Sequence, residues 1–122
     1  MRHMCLVYLE EEKMVALAKD PAAIGAFEEE VVAYDQKVNE MGVFVITSPL
    51  KRVREAVTVR LRNGRALATD GPFAETKEQL GGFILIEVPD LNAAIAIAER
   101  SPLAKVGSIE VRPLGHAGWS QG

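Results

Sequence analysis

Two short segments of this chain are apolar on both of the faces that a β-strand presents. Successive side chains of a strand point to opposite sides of a sheet, so a half-exposed strand alternates apolar and polar residues. Residues 3–9 (HMCLVYL) and 82–88 (GFILIEV) lack that alternation, and Glu87 alone interrupts the second segment. We therefore predict that both are central strands of one sheet, covered on both faces. In the first segment one face holds Met4, Leu6 and Tyr8, and the other holds His3, Cys5, Val7 and Leu9.

Two helices are predicted from their caps and their apolar spacing. Asp20 is a suitable N-cap for the longer helix, Pro21 a suitable first residue, and Gly42 a suitable left-handed stop. Asp90 is the predicted cap of the shorter helix, which ends before Pro102. The apolar face of the longer helix is Ile24, Phe27, Val31, Tyr34, Val38 and Met41, and that of the shorter helix is Leu91, Ala94, Ile95 and Ala98.

A β-hairpin is predicted around Asn63 and Gly64, the preferred residue pair for a type I′ turn. The turn sets Arg62 opposite Arg65 within residues 51–65, which hold six of the fourteen basic residues. This cluster is either a site for an anion or an acidic partner, or a charged ribbon that resists strand addition. Because no aromatic residues alternate with the charges, we predict no direct nucleic-acid binding.

The order of these elements predicts an α+β fold of the ferredoxin-like β-α-β-β-α-β type, with an inserted β-hairpin in the middle. In such a fold an antiparallel sheet carries its helices on one face. The other face then needs a cover, so a second copy of the sheet is expected, which makes the protein a homodimer. We expect one domain over residues 1–114 and a flexible C-terminal tail over 115–122.

Composition narrows the compartment and the chemistry. The chain has 122 residues, a net charge of −3 and a single cysteine, Cys5, so no internal disulfide is predicted and a cytoplasmic location is expected. The first apolar run stops at residues 10–12 (EEE), too early for a signal peptide, and no segment has the length of a membrane span. No metal-ligand cluster or dinucleotide motif is present, so no cofactor is expected.

Histidine and cysteine offer little catalytic potential in this sequence. His116 lies in a glycine-rich stretch, and His3 and Cys5 belong to an apolar strand, where a packed residue is more common than a reactive one. His3 and Tyr8 point to opposite faces of that strand, so one pocket can include only one of them.

The segment ATDGPFAETKEQLGGF (68–83) holds the remaining polar candidates. Residues 70–72 (DGP) have turn chemistry, in which the Asp70 side chain can bond to the backbone two residues on. Glu75, Lys77 and Glu78 follow at once. They are either acid/base and ligand-binding groups at a cavity mouth, or a solvated loop with local ion pairs.

The same segment, followed by SIEVRPL and preceded by MCLVY, closely resembles the DGPF-type branch of the YCII-related proteins, over nearly the whole chain. The resemblance implies a ferredoxin-like domain that dimerises into an α/β barrel. Relatives in that superfamily include monooxygenases, isomerases and dehydratase-like or dehalogenating enzymes, and some YCII-related domains accompany transcription sigma factors. The other YCII branch is suggested to use a His-Asp pair, but the corresponding positions here look like Ala23 or Ile24 and Ser101, which cannot perform that chemistry.

The predicted site therefore rests on the DGPF segment and its surroundings. Asp70 or Glu75 is the expected base or acceptor, and Lys77 the cation for a negative charge. Glu87 and Arg112 interrupt apolar strands and either pair across the sheet or line the cavity. The expected catalytic residues are Asp70, Glu75 and Lys77, and the expected ligand-binding residues are Tyr8, Glu78 and Arg112.

Two functional hypotheses follow. The first is a protein that binds a small organic molecule, with acid/base catalysis of an elimination or isomerisation as its enzymatic form. The alternative is a non-catalytic regulatory or protein-interaction module, associated with transcription sigma factors. The sequence leaves open whether the protein is an enzyme.

Overall fold

The computed structural model of this chain describes residues 1–115, so the predictions for His116 and for the tail from residue 116 onward lie outside the described residues. None of the helices in this part is long and apolar enough to cross a membrane. The strands are β1 (Arg2–Leu9), β2 (Phe44–Pro49), β3 (Val57–Arg62), β4 (Arg65–Asp70), β5 (Gln79–Glu87) and β6 (Gly107–Pro113). The helices are α1 (Glu11–Ala18), α2 (Pro21–Glu40), α3 (Leu91–Glu99) and α4 (Leu103–Val106), and Val53–Glu55 forms a 3-10 turn.

Four strands form one antiparallel sheet in the order β2-β5-β1-β6. The two segments that are apolar on both faces are therefore its central strands, as the sequence predicts. Cys5 of β1 lies opposite Ile84 of β5 on one side and Val111 of β6 on the other. The ferredoxin-like α+β fold is confirmed, and β3 and β4 form a separate two-stranded sheet.

One face of the sheet packs against the helices and forms the core. His3, Cys5 and Val7 of β1 are buried on this face, and residues 84 and 86 continue it on β5. The helices contribute fewer buried residues than the strands. The core cluster consists of Cys5, Val7, Val38, Ile84, Ile86, Val88, Ala94 and Ile97.

The opposite face of the sheet, termed the open face, carries the alternate side chains of the same strands. Met4 and Leu6 of β1 lie opposite Leu85 and Phe83 of β5, and all four are only partly buried. Ile46 of β2 pairs with Leu85 and is exposed. The open face is therefore apolar at its centre, and none of the described helices covers it.

The helix caps form as predicted, but the apolar face of α3 differs from the prediction. The Asp20 carboxylate accepts a hydrogen bond from the Ala23 amide at 3.2 Å, and the Asp90 carboxylate does the same for Ala93 at 2.9 Å. Leu91 and Ile95 are exposed, contrary to prediction, and the buried residues of α3 are Ala94, Ile97 and Ala98. Both sets share Ala94 and Ala98, and packing on the sheet selects the side of the helix that includes Ile97. Met41, predicted to continue the α2 stripe, is also exposed, since it follows the last helical turn.

Tyr34 joins the two main helices. Its hydroxyl donates a 2.6 Å hydrogen bond to the carbonyl of Ile97, in the last turn of α3, where backbone carbonyls lack partners within the helix. Burial raises the pKa of Tyr34 to about 12, with smaller contributions from Cys5 and Asp35.

We expect Tyr34→Phe to lower the free energy of unfolding at pH 8 by about 1 kcal/mol, because the Ile97 carbonyl loses its donor. The folded-state pKa is raised, so the wild-type advantage is complete below the ordinary tyrosine pKa of 10.0 and is lost as pH rises toward about 12. Urea unfolding of both proteins from pH 8 to pH 11 measures this difference. A difference that stays constant across the range contradicts the assignment.

His3 is fully buried in the core without adequate hydrogen bonding. Its Nδ1 lies 3.4 Å from the carbonyl of Met1, and its Nε2 has no partner within residues 1–115. Ser101, the other buried polar residue among residues 1–115, has a hydrogen-bond partner, since its Oγ accepts from the Leu103 amide at 3.2 Å.

Replacing His3 with Leu should therefore raise the free energy of unfolding by about 1 kcal/mol, because an unpaired buried nitrogen is removed. Ser101→Ala is the matched control and should lower it by about 1 kcal/mol, since it breaks a satisfied hydrogen bond. Urea denaturation measures both. A destabilised His3→Leu variant would show that Nε2 has a partner in solution, such as a buried water.

Candidate functional site

A cavity with polar side chains at its rim lies where β1 ends, between the connection that follows β2 and the loop that follows β4. It has a volume of about 830 Å³ and is termed the main cavity. Most of its wall is apolar, as is usual for small-molecule sites. Its apolar lining includes Leu50, Val53, Val57, Phe73 and Leu80, and its polar lining includes Tyr8, Thr58, Thr76, Glu78 and Gln79.

Residues 70–78 form a loop, termed the DGPF loop. Hydrogen bonds join the first half of this loop to β3 and to the residue before it. Gly71 has a φ of +102°, a region that only glycine enters without strain. Its amide donates to the Ala56 carbonyl at 2.7 Å, and its carbonyl accepts from the Thr58 hydroxyl at 2.9 Å. Arg60 of β3 donates to the Phe73 carbonyl at 3.2 Å. The loop and the base of β3 therefore form one connected unit.

The Asp70 side chain does not form the hydrogen bond to the turn backbone that the sequence predicts. It is the last residue of β4, opposite Val57, and it is exposed. Its carboxylate makes no hydrogen bond within the described residues. The turn therefore depends on the backbone of Gly71 and not on the Asp70 side chain.

The second half of the loop is held by its own hydrogen bonds. The Gln79 side-chain amide donates to the carbonyls of Ala74 at 3.2 Å and Thr76 at 3.1 Å. The Thr76 hydroxyl donates to the Glu78 carbonyl at 2.7 Å. These contacts fix the direction in which Glu78 leaves the loop.

A polar corner forms where this loop meets the open face of the sheet. Ser108 of β6 lies directly opposite Tyr8 of β1, and both side chains belong to the open face. The Ser108 hydroxyl donates to the Glu78 carboxylate at 2.7 Å. Two of the predicted ligand-binding residues, Tyr8 and Glu78, line the main cavity, and Ser108 contacts it only through Glu78.

Glu75 and Lys77 line a smaller neighbouring cavity of about 360 Å³, termed the side cavity. On its far wall the Glu11 carboxylate accepts from Arg52 Nε at 3.1 Å and from the Val53 amide at 2.9 Å. Within the part of the chain that the structure describes, no group of three or more His, Cys, Asp or Glu residues is arranged to hold a metal. The two cavities share Arg52, Val53, Thr76 and Gln79 in their walls.

Asp70 and Arg112 line neither cavity. Arg112 is exposed on β6, where it pairs with Glu110 and lies opposite Met4. It is four residues from Ser108, which corresponds to about 13 Å along a strand. The structure therefore does not bring Arg112 to the polar corner.

Glu87 and Arg112 also do not pair with each other. The Glu87 carboxylate lies 2.8 Å from the amino group of Met1 and 3.7 Å from Arg2. The hydrogen bond from that amino group lowers the pKa of Glu87. Both residues thus form separate exposed ion pairs.

Ser108, which lines neither cavity but donates a hydrogen bond to Glu78, is a contact that the sequence analysis does not single out. The alternation in SIEVRP predicts that Ser108, Glu110 and Arg112 lie on one face of the strand, so the sequence narrows the partner of Glu78 to these three residues. Which of them meets Glu78 depends on the register between β1 and β6, and the sequence does not state that register.

Comparison with known proteins gives three findings. The chain matches the model of the YCII-related domain over residues 1–116. It is 42% identical over 84 residues to an uncharacterised protein of Rhizobium meliloti, covering 67% of this chain and 68% of that protein. A solved 5-chloro-2-hydroxyhydroquinone dehydrochlorinase from Burkholderia phenoliruptrix, in complex with 2,5-dihydroxybenzoquinone, is 14% identical with a TM-score of 0.46, covering 96% of each chain.

Gly71→Ala should lower the free energy of unfolding by about 1 to 2 kcal/mol, because a Cβ is strained at positive φ. Gly25→Ala is the control: Gly25 lies inside α2 with open space around its Cβ position, so the substitution should raise stability by about 1 kcal/mol. Urea denaturation of both variants measures these changes. A Gly71→Ala variant as stable as the wild type contradicts the role given to this backbone conformation.

Proposed function

The chain belongs to the YCII-related domain family, and on that premise we propose that it binds a small organic molecule in the main cavity. The observation that carries the proposal is the combination of a mostly apolar cavity of about 830 Å³ with one polar corner. Cavities of this size and composition suit drug-sized ligands, with a few polar groups that fix orientation.

The charges around the cavity favour a ligand that donates hydrogen bonds. Lys51 lies 3.5 Å from Glu55, and Arg52 is paired with Glu11, so these charges already have partners. Glu78 accepts a hydrogen bond only from the neutral hydroxyl of Ser108 within the described residues. A neutral ligand with a hydroxyl group therefore complements the corner best, with its ring or chain against the apolar wall.

In the enzymatic form of this proposal the protein performs acid/base chemistry, an elimination or an isomerisation. The Glu78 carboxylate accepts a proton from an acidic carbon of the ligand. In an isomerisation it returns that proton to another carbon of the ligand. In an elimination the electron pair of the broken C–H bond forms the new double bond, and the group on the neighbouring carbon leaves with its own bonding pair. The Tyr8 hydroxyl, which belongs to β1, orients the ligand. For a ligand that extends into the side cavity, Glu75 remains a proposed base or acceptor and Lys77 a proposed cation for a negative charge. Asp70 lies outside both cavities, so we assign the base to Glu78 in preference to it.

The alternative is a non-catalytic regulatory or protein-interaction module, with transcription sigma factors as the partner class that the family resemblance suggests. One observation favours it. Phe73 stands 80% exposed at the rim of the main cavity, and a large exposed aromatic residue is typical of a surface that binds a protein. Specific binding of a small hydroxylated molecule distinguishes the first function from this one.

We also propose that the protein is a cytoplasmic homodimer. The partly exposed apolar centre of the open face, at Met4, Leu6 and Phe83, is the surface that a second copy covers. A reducing compartment agrees with the single cysteine, Cys5, which is buried, and burial raises the pKa of its thiol.

The binding proposal is tested by ligand-observed NMR with neutral hydroxylated aromatic compounds. For a compound that binds, Glu78→Gln should raise Kd about tenfold, because a charge-assisted hydrogen bond becomes a neutral one. Glu110→Gln is the matched control. Glu110 lies on the same face of β6 as Ser108, but it pairs with Arg112 outside the cavity, so Kd should not change. If the wild type and Glu78→Gln bind the compound with equal affinity, Glu78 is not part of the ligand site.

A further inference from the structure

A second large cavity lies between α2 and α3 and is termed the helix groove. It has a volume of about 720 Å³ and shares no lining residue with the main cavity. Three buried core residues form its floor: Val38 of α2, Ile97 of α3 and Val88, which follows β5. The ligand proposed for the main cavity therefore does not reach the helix groove.

Most of the wall of the helix groove is apolar. Ala93 and Ala96 of α3 are small, which leaves room between the two helices. Met41, at the end of α2, lines the groove and is 59% exposed, and a methionine side chain adapts its shape to an apolar ligand. A cavity of this size and composition suits an organic ligand with an apolar body.

The charged side chains that line the helix groove are Glu30, Lys37 and Arg100. The Glu30 carboxylate lies 2.5 Å from the amino group of Lys105. Lys37 and Arg100 have no carboxylate within 4.0 Å among residues 1–115. Each lies at the end of its helix, where a cation is favourable, but that effect does not explain why both line one apolar wall. The unpaired charge at the groove is therefore positive, in a chain with a net charge of −3.

The helices α2 and α3 run antiparallel along the groove. The Tyr34 hydroxyl of α2 donates to the carbonyl of Ile97 in α3. Glu30, earlier in α2, pairs with Lys105, which lies after the end of α3. Moving backward along α2 thus corresponds to moving forward along α3.

This arrangement places the two cations toward opposite ends of the groove. Lys37 is three residues after Tyr34, and Arg100 is three residues after Ile97. They therefore lie in opposite directions from the hydrogen bond between Tyr34 and Ile97. At the rise of an α-helix, their backbones are roughly 9 Å apart along the helix axes.

We propose that the helix groove binds an apolar dicarboxylate, with one carboxylate at Lys37, the other at Arg100 and the carbon chain along the apolar floor. Two carboxylates give both cations a charge-assisted hydrogen bond, and the Arg100 guanidinium can hold its carboxylate through two parallel bonds. The site is separate from the main cavity, so it does not depend on the function proposed for that cavity.

NMR of the methionine methyl groups tests the location of this site. The probe is suberate, an unbranched dicarboxylate, added to protein labelled with ¹³C at these methyl groups. Suberate should shift the signal of Met41, which lines the groove, because its carbon chain contacts that side chain. The signals of Met4 on β1 and Met14 on α1 should not move, since both residues lie outside the groove. Met41→Leu assigns the signal, and a Met41 signal that stays unchanged up to about 10 mM suberate overturns the proposal.

Isothermal titration calorimetry tests the role of the two cations. Lys37→Gln and Arg100→Gln should each raise the Kd of suberate about tenfold, because a charge-assisted hydrogen bond is lost. Lys19→Gln is the matched control: Lys19 is exposed at the end of α1, outside the groove, so the same change of charge should leave Kd unchanged. Lys37 and Arg100 are exposed, so circular dichroism should show native folding. Unchanged affinity in either groove variant overturns the attachment at two points.

Two further titrations test the ligand class and the independence of the site. Octanoate has the same number of carbons as suberate but one carboxylate, so it should bind about tenfold more weakly. Equal affinity for the two compounds overturns the dicarboxylate class. Glu78→Gln should bind suberate as the wild type does, since Glu78 lines only the main cavity of the two. Weaker binding by that variant would place suberate in the main cavity and overturn the proposal.

Discussion

The apolar character of both faces of β1 and β5 is the constraint on which the rest of the structure depends. Cys5 and Ile84 face the helices, whereas Leu6 and Phe83, their neighbours in sequence, face the opposite side. Apolar burial contributes about 25 cal/mol per Å², so leaving either face in water forfeits a substantial part of the folding free energy. The helices cover the first face only. The strands therefore specify the fold of one chain and leave its second sheet face apolar.

The position of the candidate site follows from the same alternation. Tyr8 lies on the open face because it is two residues from Leu6, and Ser108 lies there because it pairs with Tyr8. Glu78 immediately precedes β5, so its carboxylate reaches the edge of that face and accepts from Ser108. The polar corner is thus the end of an otherwise apolar surface, and the ligand that we propose would find both an apolar wall and a hydrogen-bond acceptor there.

Features set by local interactions could be predicted from the sequence, and features set by register could not. Asp20 and Asp90 cap their helices through amides three residues away, and the Asn63 turn needs only its own backbone angles. In contrast, Gln79 holds the carbonyls of the DGPF loop, and this determines that Glu78 faces one cavity while Glu75 and Lys77 face another.

The α3 helix shows why a helical pattern alone is insufficient. Its two apolar stripes share Ala94 and Ala98 and differ in whether Ile95 or Ile97 is buried. Helical periodicity fits either choice. The contact with the sheet and the hydrogen bond from Tyr34 to Ile97 decide between them, and both join residues that are far apart in the sequence.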